Sequence, residues 1–117
     1  MNIYYPNLEN VFHALSDRSR LLMVERLSFG PASVKELAKP LDMVLPSALK
    51  HLKVLEETGI VFSNKVGRVR TYELNLSQLN QIDIWIEERK KSWNHSFDRL
   101  ESFLLESEDI NLKGESI

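Results

Sequence analysis

The sequence contains no cysteine, and this absence excludes several kinds of site at once. Without thiols the chain cannot form a disulfide, a thiolate metal site or a cysteine nucleophile. No apolar run approaches the roughly 18 residues that a membrane-spanning helix needs. The first ten residues also lack the basic and apolar segments of a secretory signal. The 117 residues, 43% of them hydrophobic, therefore predict a single cytoplasmic domain.

Glycine and histidine are also scarce, with four and three residues respectively. The sequence has no Gly-rich phosphate loop, no Ser/His/Asp arrangement and no pair of carboxylates at the end of a strand. These absences predict a protein that is not an enzyme, with no catalytic residues and no cofactor.

The charges are unevenly distributed along the chain, although the net charge is only -2. Residues 33–72 contain seven Lys and Arg against four Asp and Glu, whereas residues 73–117 contain five against ten. Positive charge is therefore concentrated in the middle of the chain, where it could face phosphate, while the acidic end faces away.

Capping and breaking residues predict four helices in the first half of the chain. The first spans Asn7 to about Ser16, and Asp17 caps a second that ends before Gly30-Pro31. Ser33 and Glu36 form a capping box for a short third helix that Pro40 limits. Pro46 suits the first turn of a fourth helix, which runs to Thr58 and stops at Gly59.

Two short strands follow the fourth helix, at Ile60–Phe62 and from Val69 to Leu74, with a cationic turn at Asn64–Gly67 between them. The order helix, turn, helix, hairpin is typical of a winged helix-turn-helix. The predicted fold class is therefore mainly α with a small β-wing.

The fourth helix has one apolar side, formed by Leu45, Ala48, Leu52 and Leu55, and a polar side that is free to enter the major groove of DNA. On the polar side, Ser47 and Lys50 can bind base edges, and His51 can bind a base or a phosphate. Cations on this helix and on the hairpin suit phosphates. The predicted DNA-binding residues are Ser47, Lys50, His51, Lys53, Lys65, Arg68 and Arg70.

A long amphipathic helix is predicted from Ser77 to about Leu105, and its apolar stripe exceeds what a small winged domain can cover. Pairing with a second copy would bury the excess and place two recognition helices in successive major grooves. The alternative is that the stripe packs only on the first helix. The predicted domain is 1–106, followed by a disordered tail at 107–117. The predicted interface of the homodimer consists of Leu79, Ile82, Trp85, Ile86, Trp93, Phe97 and Leu100.

Three segments of the chain resemble the ArsR family of bacterial winged-helix repressors. They are FHALSDRSRLLMVERLSFGPASVKELA (Phe12–Ala38), LPSALKHLKVLEETGIV (Leu45–Val61) and GRVRTYEL (Gly67–Leu74). Trp85 and Trp93 resemble a branch of the family with two tryptophans in the final helix. The resemblance implies a homodimeric transcriptional regulator, usually a repressor, bound to an imperfect inverted repeat near its own promoter.

The chain departs from the family pattern at two positions of the recognition helix. Val44 stands where a polar N-cap is common, and Leu49 stands where the family often has a serine that contacts the groove. The first change costs on the order of 1 kcal/mol, and the second relaxes specificity at one base.

The metal sites of the family have no counterpart here. The third helix offers no cysteine, and counting the final-helix ligand spacing from Asp83 gives Trp85, Ser96 and Arg99, which are not its ligands. No metal is therefore expected, and the effector is an unidentified small molecule or protein, if there is one.

The leading hypothesis is a sequence-specific dimeric repressor that does not respond to metal. The alternative hypothesis keeps the winged helix as a protein-interaction module with weak or no DNA binding, because Val44 and Leu49 make the groove face unusually apolar.

Overall fold

The computed structural model describes the backbone of residues 7–115 and the side chains of residues 7–107. Five helices are described: α1 (Leu8–Leu15), α2 (Arg18–Leu27), α3 (Val34–Ala38), α4 (Leu45–Glu57) and α5 (Leu76–Glu115). Three strands accompany them: β1 (Ala32–Ser33), β2 (Val61–Val66) and β3 (Val69–Leu74). This is the predicted winged helix-turn-helix, with α3 and α4 as its two helices and β2–β3 as its wing.

The predicted caps are present at the starts of α2 and α3. The Asp17 carboxylate accepts a hydrogen bond from the Arg20 N–H at 3.0 Å. At α3, Ser33 and Glu36 exchange backbone and side-chain hydrogen bonds of 3.3 Å, which is the predicted capping box. Helix α3 continues into one 3₁₀ turn, Lys39–Leu41, that contains Pro40. Gly59 lies beyond the end of α4 at a φ of +78°, as predicted for the residue that stops that helix.

The sheet differs from the prediction in two respects. Strand β1 was not predicted, because a strand of two residues exists only through its pairing with β3, where Ala32 opposes Tyr72. The wing strands are also longer than predicted. Residues 64–66 belong to β2 rather than to the turn, since a two-residue turn at Gly67-Arg68 suffices, with Gly67 at a φ of +62°. All strands are antiparallel, in the order β1-β3-β2.

The core of the winged helix collects apolar side chains from α1 to β3. Leu52, Leu55 and Ile60 are fully buried. Leu79 and Ile82, at the start of α5, are partly buried against this core. The core therefore holds one side of α4 and leaves the opposite side of the helix to solvent.

Contacts divide the chain into two compact units, Met1–Ile82 and Asp83–Ile117, and the backbone of α5 runs from the first unit into the second. Helix α5 ends at Glu115 rather than near Leu105. The predicted boundary at residue 106 and the predicted disorder beyond it stay predictions. No helix among residues 7–115 is long and apolar enough to cross a membrane.

Candidate nucleic-acid interface

Helix α4 is divided into a buried side and an exposed side. Ala48, Leu52 and Leu55 are inaccessible to solvent. Lys50 and Lys53 are exposed, and neither forms a hydrogen bond or an ion pair with another described residue. Two ammonium groups on the outer surface of one helix are therefore available to an anionic partner.

Ser47 and His51, also predicted to bind DNA, are only partly buried, on a flank of α4. The side chain of His51 is held from α2, because its Nδ1 lies 3.1 Å from Nη1 of Arg20 and 3.7 Å from Oδ2 of Asp17. Nε of Arg20 donates in turn to the carbonyl oxygen of Ala14 at 2.6 Å. His51 is therefore part of a polar network that joins the end of α1, the start of α2 and helix α4.

The carboxylate of Asp17 is the anionic member of this network. Its pKa is lowered chiefly by the hydrogen bond from the backbone N–H of Arg20, which burial partly opposes, and further by the charge of Arg20 and, when the imidazole is protonated, that of His51. Asp17 is thus ionised at neutral pH, where it caps α2 and balances the charge of Arg20.

One face of the wing changes from apolar to cationic along its length. At the base of the hairpin this face carries the buried side chains of Val61 and Tyr72. Toward the tip it carries Lys65 and Arg70, which are directly opposed across the two strands and exposed. Like charges in this arrangement repel each other, and an anion between them would remove the repulsion. The exposed guanidinium of Arg68 lies in the turn itself.

The cationic face of the wing adjoins the end of α4. Nη1 of Arg70 donates to Oγ of Ser63 at 2.8 Å, and this hydroxyl lies 3.5 Å from Oε2 of Glu56 in α4. This chain of contacts connects the wing to the end of α4. It also orients Arg70, so this residue has a structural partner as well as a predicted role in DNA binding.

The two departures in the recognition helix have visible consequences. Val44 occupies the N-cap position of α4 in an extended conformation, and no side chain caps the helix. Val44 is 67% exposed and Leu49 is 46% exposed, so two apolar side chains share the accessible surface with Lys50 and Lys53.

The predicted dimer residues differ in their surroundings. Leu79 and Ile82 are partly buried and pack against the core of the winged helix. In the second unit Trp93 is 70% exposed, Phe97 56% and Leu100 53%. Ile86 is also exposed, and the Trp85 ring lies 5.3 Å from the guanidinium carbon of Arg89.

Sequence reasoning identified Asp17 only as a cap and did not single out Arg20, Ser63 or Glu56. The spacing of Asp17 and Arg20 at the start of a helix is visible in the sequence. Their link to His51 is not, because it depends on the packing of α2 against α4. Among the described residues, no three His, Asp or Glu side chains lie together in a way that could hold a metal ion.

The chain is similar to known regulators of transcription. The family described as "helix-turn-helix domain" matches residues 15–61. The HTH-type transcriptional regulator Rv2034 of Mycobacterium tuberculosis is 38% identical over 71 residues, which cover 61% of this chain and 66%, just under two thirds, of that protein. The arsenical resistance operon repressor of Staphylococcus aureus is 31% identical over 78 residues, covering 67% of this chain and 75% of the repressor.

A solved structure shares both the sequence and the fold. The crystal structure of the ArsR family transcriptional regulator RHA00566 superposes with a TM-score of 0.73 at 41% identity, over 80% of this chain and 97% of that one.

Proposed function

The chain belongs to the ArsR family of transcriptional regulators, and we propose that it is a dimeric repressor that binds an inverted-repeat operator near its own promoter. The observation that carries the proposal is the run of cations from α4 to the wing. Lys50 and Lys53 lie on the accessible side of the helix, and Lys65 and Arg70 lie on the wing face that adjoins it.

This distribution of charge matches the two parts of a duplex that such a protein contacts. A helix fits the major groove, where Ser47 and Lys50 can reach base edges. The wing then lies along the backbone, where Lys65, Arg68 and Arg70 can neutralise phosphates. The buried side of α4 holds the helix against the core and leaves its other side free to enter the groove.

The apolar stripe of α5 supports the dimer in this proposal. Trp93, Phe97 and Leu100 recur at steps of four and three residues and remain more than half exposed. A second copy of the same helix covers such a stripe with matching residues. Two copies related by a twofold axis then present two recognition helices to two half-sites, which is why the operator is expected to be an inverted repeat.

Release from DNA is proposed to be independent of metal. The chain has no cysteine, and among the residues whose side chains are described no three His, Asp or Glu lie together in a way that could hold a metal ion. An effector would therefore be a small molecule or a partner protein.

DNA binding is tested by fluorescence anisotropy on DNA from upstream of the protein's own gene, against a scrambled duplex of equal length. Affinity for the upstream DNA should exceed that for the scrambled duplex and fall steeply with salt. The pair Lys50→Ala/His51→Ala should weaken binding at least about tenfold, because it removes the side chains that face the groove. The control variant Lys90→Ala/Lys91→Ala lacks two exposed cations of α5 and should bind the upstream DNA with the affinity of the unmodified protein.

Dimerisation is tested by sedimentation velocity of the full chain at micromolar concentration. The unmodified protein should sediment as a dimer, and Trp93→Glu/Leu100→Glu should sediment as a monomer with unchanged helix content. Lys90→Glu, at an exposed position of the same helix, should remain dimeric. A monomeric unmodified protein would overturn the twofold arrangement.

One observation favours a second candidate function. The exposed Val44 and Leu49 give the accessible side of α4 an apolar character that suits a protein partner as well as a duplex. If the chain serves as a protein-interaction module, purification from its own cells should yield an associated protein and no enriched DNA.

A further inference from the structure

The imidazole of His51 has a defined hydrogen-bond partner at one nitrogen. Its Nδ1 lies 3.1 Å from Nη1 of Arg20, within hydrogen-bond distance. Arg20 is itself fixed, because its Nε donates to the carbonyl oxygen of Ala14 at 2.6 Å. Oδ2 of Asp17 lies 3.7 Å from the same Nδ1. This distance is too long for a hydrogen bond but short enough for electrostatic attraction between the carboxylate and a protonated imidazole.

This contact favours one of the two neutral forms of the ring. A guanidinium group only donates hydrogen bonds and stays charged at all relevant pH values. In the neutral ring, a hydrogen bond between these two groups requires Nδ1 of His51 to accept, since a hydrogen on Nδ1 would point at the hydrogens of Arg20. A neutral imidazole that accepts at Nδ1 carries its proton on Nε2.

The second nitrogen of His51 is accessible. Nε2 forms no hydrogen bond with another described residue. It is also not buried, because the only side-chain N or O atom of the described residues that is both buried and unpaired is Oε1 of Gln81. Nε2 is therefore in contact with solvent, on a residue that directly follows Lys50 in the recognition helix.

We infer that Arg20 is a positioning residue that holds His51 as the Nε2–H tautomer, so that His51 offers DNA a hydrogen-bond donor and never an acceptor. This inference rests on the proposed function. The partner of Nε2–H is an acceptor atom, either on a base edge, such as N7 of a purine, O6 of guanine or O4 of thymine, or on a phosphate. The amino groups of adenine and cytosine are excluded as partners of His51, because they would need an acceptor at that nitrogen.

The tautomer is measured directly on the unmodified protein without DNA. Two-bond ¹H–¹⁵N spectra of protein labelled at histidine, recorded at about pH 8.5 where imidazoles are neutral, distinguish the two ring nitrogens. His51 should show a protonated Nε2 and an unprotonated Nδ1. The exposed His13 and His95 serve as internal references for rings without the arginine contact. A protonated Nδ1 in His51 would overturn the inference whatever the protein binds.

Substitution of the arginine tests its role in holding the ring. In Arg20→Met the Nδ1–H form of His51 should appear and affinity for the upstream DNA should fall about fivefold, the loss expected for one misplaced hydrogen bond. Arg18→Met, at an exposed position of the same helix, should change neither result. An unaltered His51 spectrum in folded Arg20→Met would also overturn the inference.

Two substitutions of His51 separate donor from acceptor without disturbing α2. Gln places an amide N–H near the position of Nε2, so His51→Gln should keep affinity within about threefold, whereas His51→Asn, whose amide reaches only the position of Nδ1, should lose about fivefold to tenfold. Equal losses in both variants would show that a donor at Nε2 is not what DNA requires.

Modified DNA then identifies the acceptor. 7-Deazapurine and other base analogues each lack one acceptor of a base edge. If such an analogue lowers the affinity of the unmodified protein but not that of His51→Asn, the acceptor lies on a base edge. The same pattern with a neutral methylphosphonate identifies a phosphate. Failure of every duplex to bind the unmodified protein would refute the proposed function while the spectrum of His51 still reports the tautomer. Binding that responds to neither modification would refute the role of His51 alone.

Discussion

Lys65 and Arg70 lie directly opposite each other in the wing, on the face that adjoins helix α4. Two like charges in this position destabilise a hairpin by a few tenths of a kcal/mol in the absence of an anion. The arrangement is unfavourable for folding alone, and it becomes favourable when a phosphate lies between the two side chains.

Lys65→Glu should therefore move stability and DNA binding in opposite directions. The substitution replaces repulsion by attraction across the strands, so the free energy of unfolding should rise by about 0.5 kcal/mol, measured by urea denaturation. Affinity for the upstream DNA should fall, with a shallower dependence on salt. Lys35→Glu, at an exposed position of α3, should leave DNA binding unchanged. Unchanged DNA binding by Lys65→Glu would contradict the assignment of the wing.

Val44→Ser should stabilise the fold by supplying the missing cap of α4. The serine hydroxyl can accept from the backbone N–H of Ser47, since Pro46 has none to donate, and such a cap contributes about 1 kcal/mol. Urea denaturation should show the gain. Val66→Ser removes a similarly exposed valine from the wing, where no helix begins, and should show no gain.

Asp17 should make stability fall in acid. The pKa of Asp17 is lower in the folded state than in the unfolded state. The charge of Asp17 therefore contributes its full stabilisation at pH values above the unfolded-state pKa, and this stabilisation is lost as the pH falls through the folded-state pKa. Asp17→Asn can still cap α2 but carries no charge. The stability difference between the two proteins should therefore shrink as the pH falls from about 5 to about 3, and Asp17→Ser should behave like Asp17→Asn. A difference that does not vary with pH would show that the charge of Asp17 is irrelevant to stability.

Gly59→Ala should be more destabilising than Gly67→Ala. Both glycines have positive φ, so each substitution costs about 1 kcal/mol of backbone strain. A Cβ at Gly59 would also lie 3.2 Å from Nε2 of Gln78, whereas a Cβ at Gly67 meets nothing within 4 Å. The Gln78 amide donates to the carbonyl oxygen of Thr58 at the end of α4. Displacing it should add to the loss, and equal losses in the two variants would contradict this role of Gln78.

The parts of the fold that could be predicted from the sequence are those that local chemistry decides. Asp17 and Ser33 were identified as caps, and Gly59 as a stop, because each acts on backbone groups within a few residues of itself. The buried side of α4 followed from the spacing of its apolar residues. The family was recognised from three continuous segments of the sequence, Phe12–Ala38, Leu45–Val61 and Gly67–Leu74.

The remaining features depend on contacts between distant residues. Strand β1 exists because Ala32 and Ser33 meet β3 across the sheet. The hydrogen bond between Arg20 and His51 joins positions 31 residues apart, so neither residue alone indicates it. The candidate site was therefore predicted as a set of cations, while the network that orients one of its members required the structure.

Hydroxyl-radical footprinting on DNA from upstream of the gene is the most direct test of a paired recognition helix reading an operator. The unmodified protein should protect two related segments with centres one helical turn, about 10 base pairs, or a multiple of it apart, and Lys50→Ala/His51→Ala should abolish both at the same concentration. Two results would contradict the proposed mode of DNA binding. One is protection that survives this double substitution, and the other is the absence of protection by the folded dimer at every concentration tested.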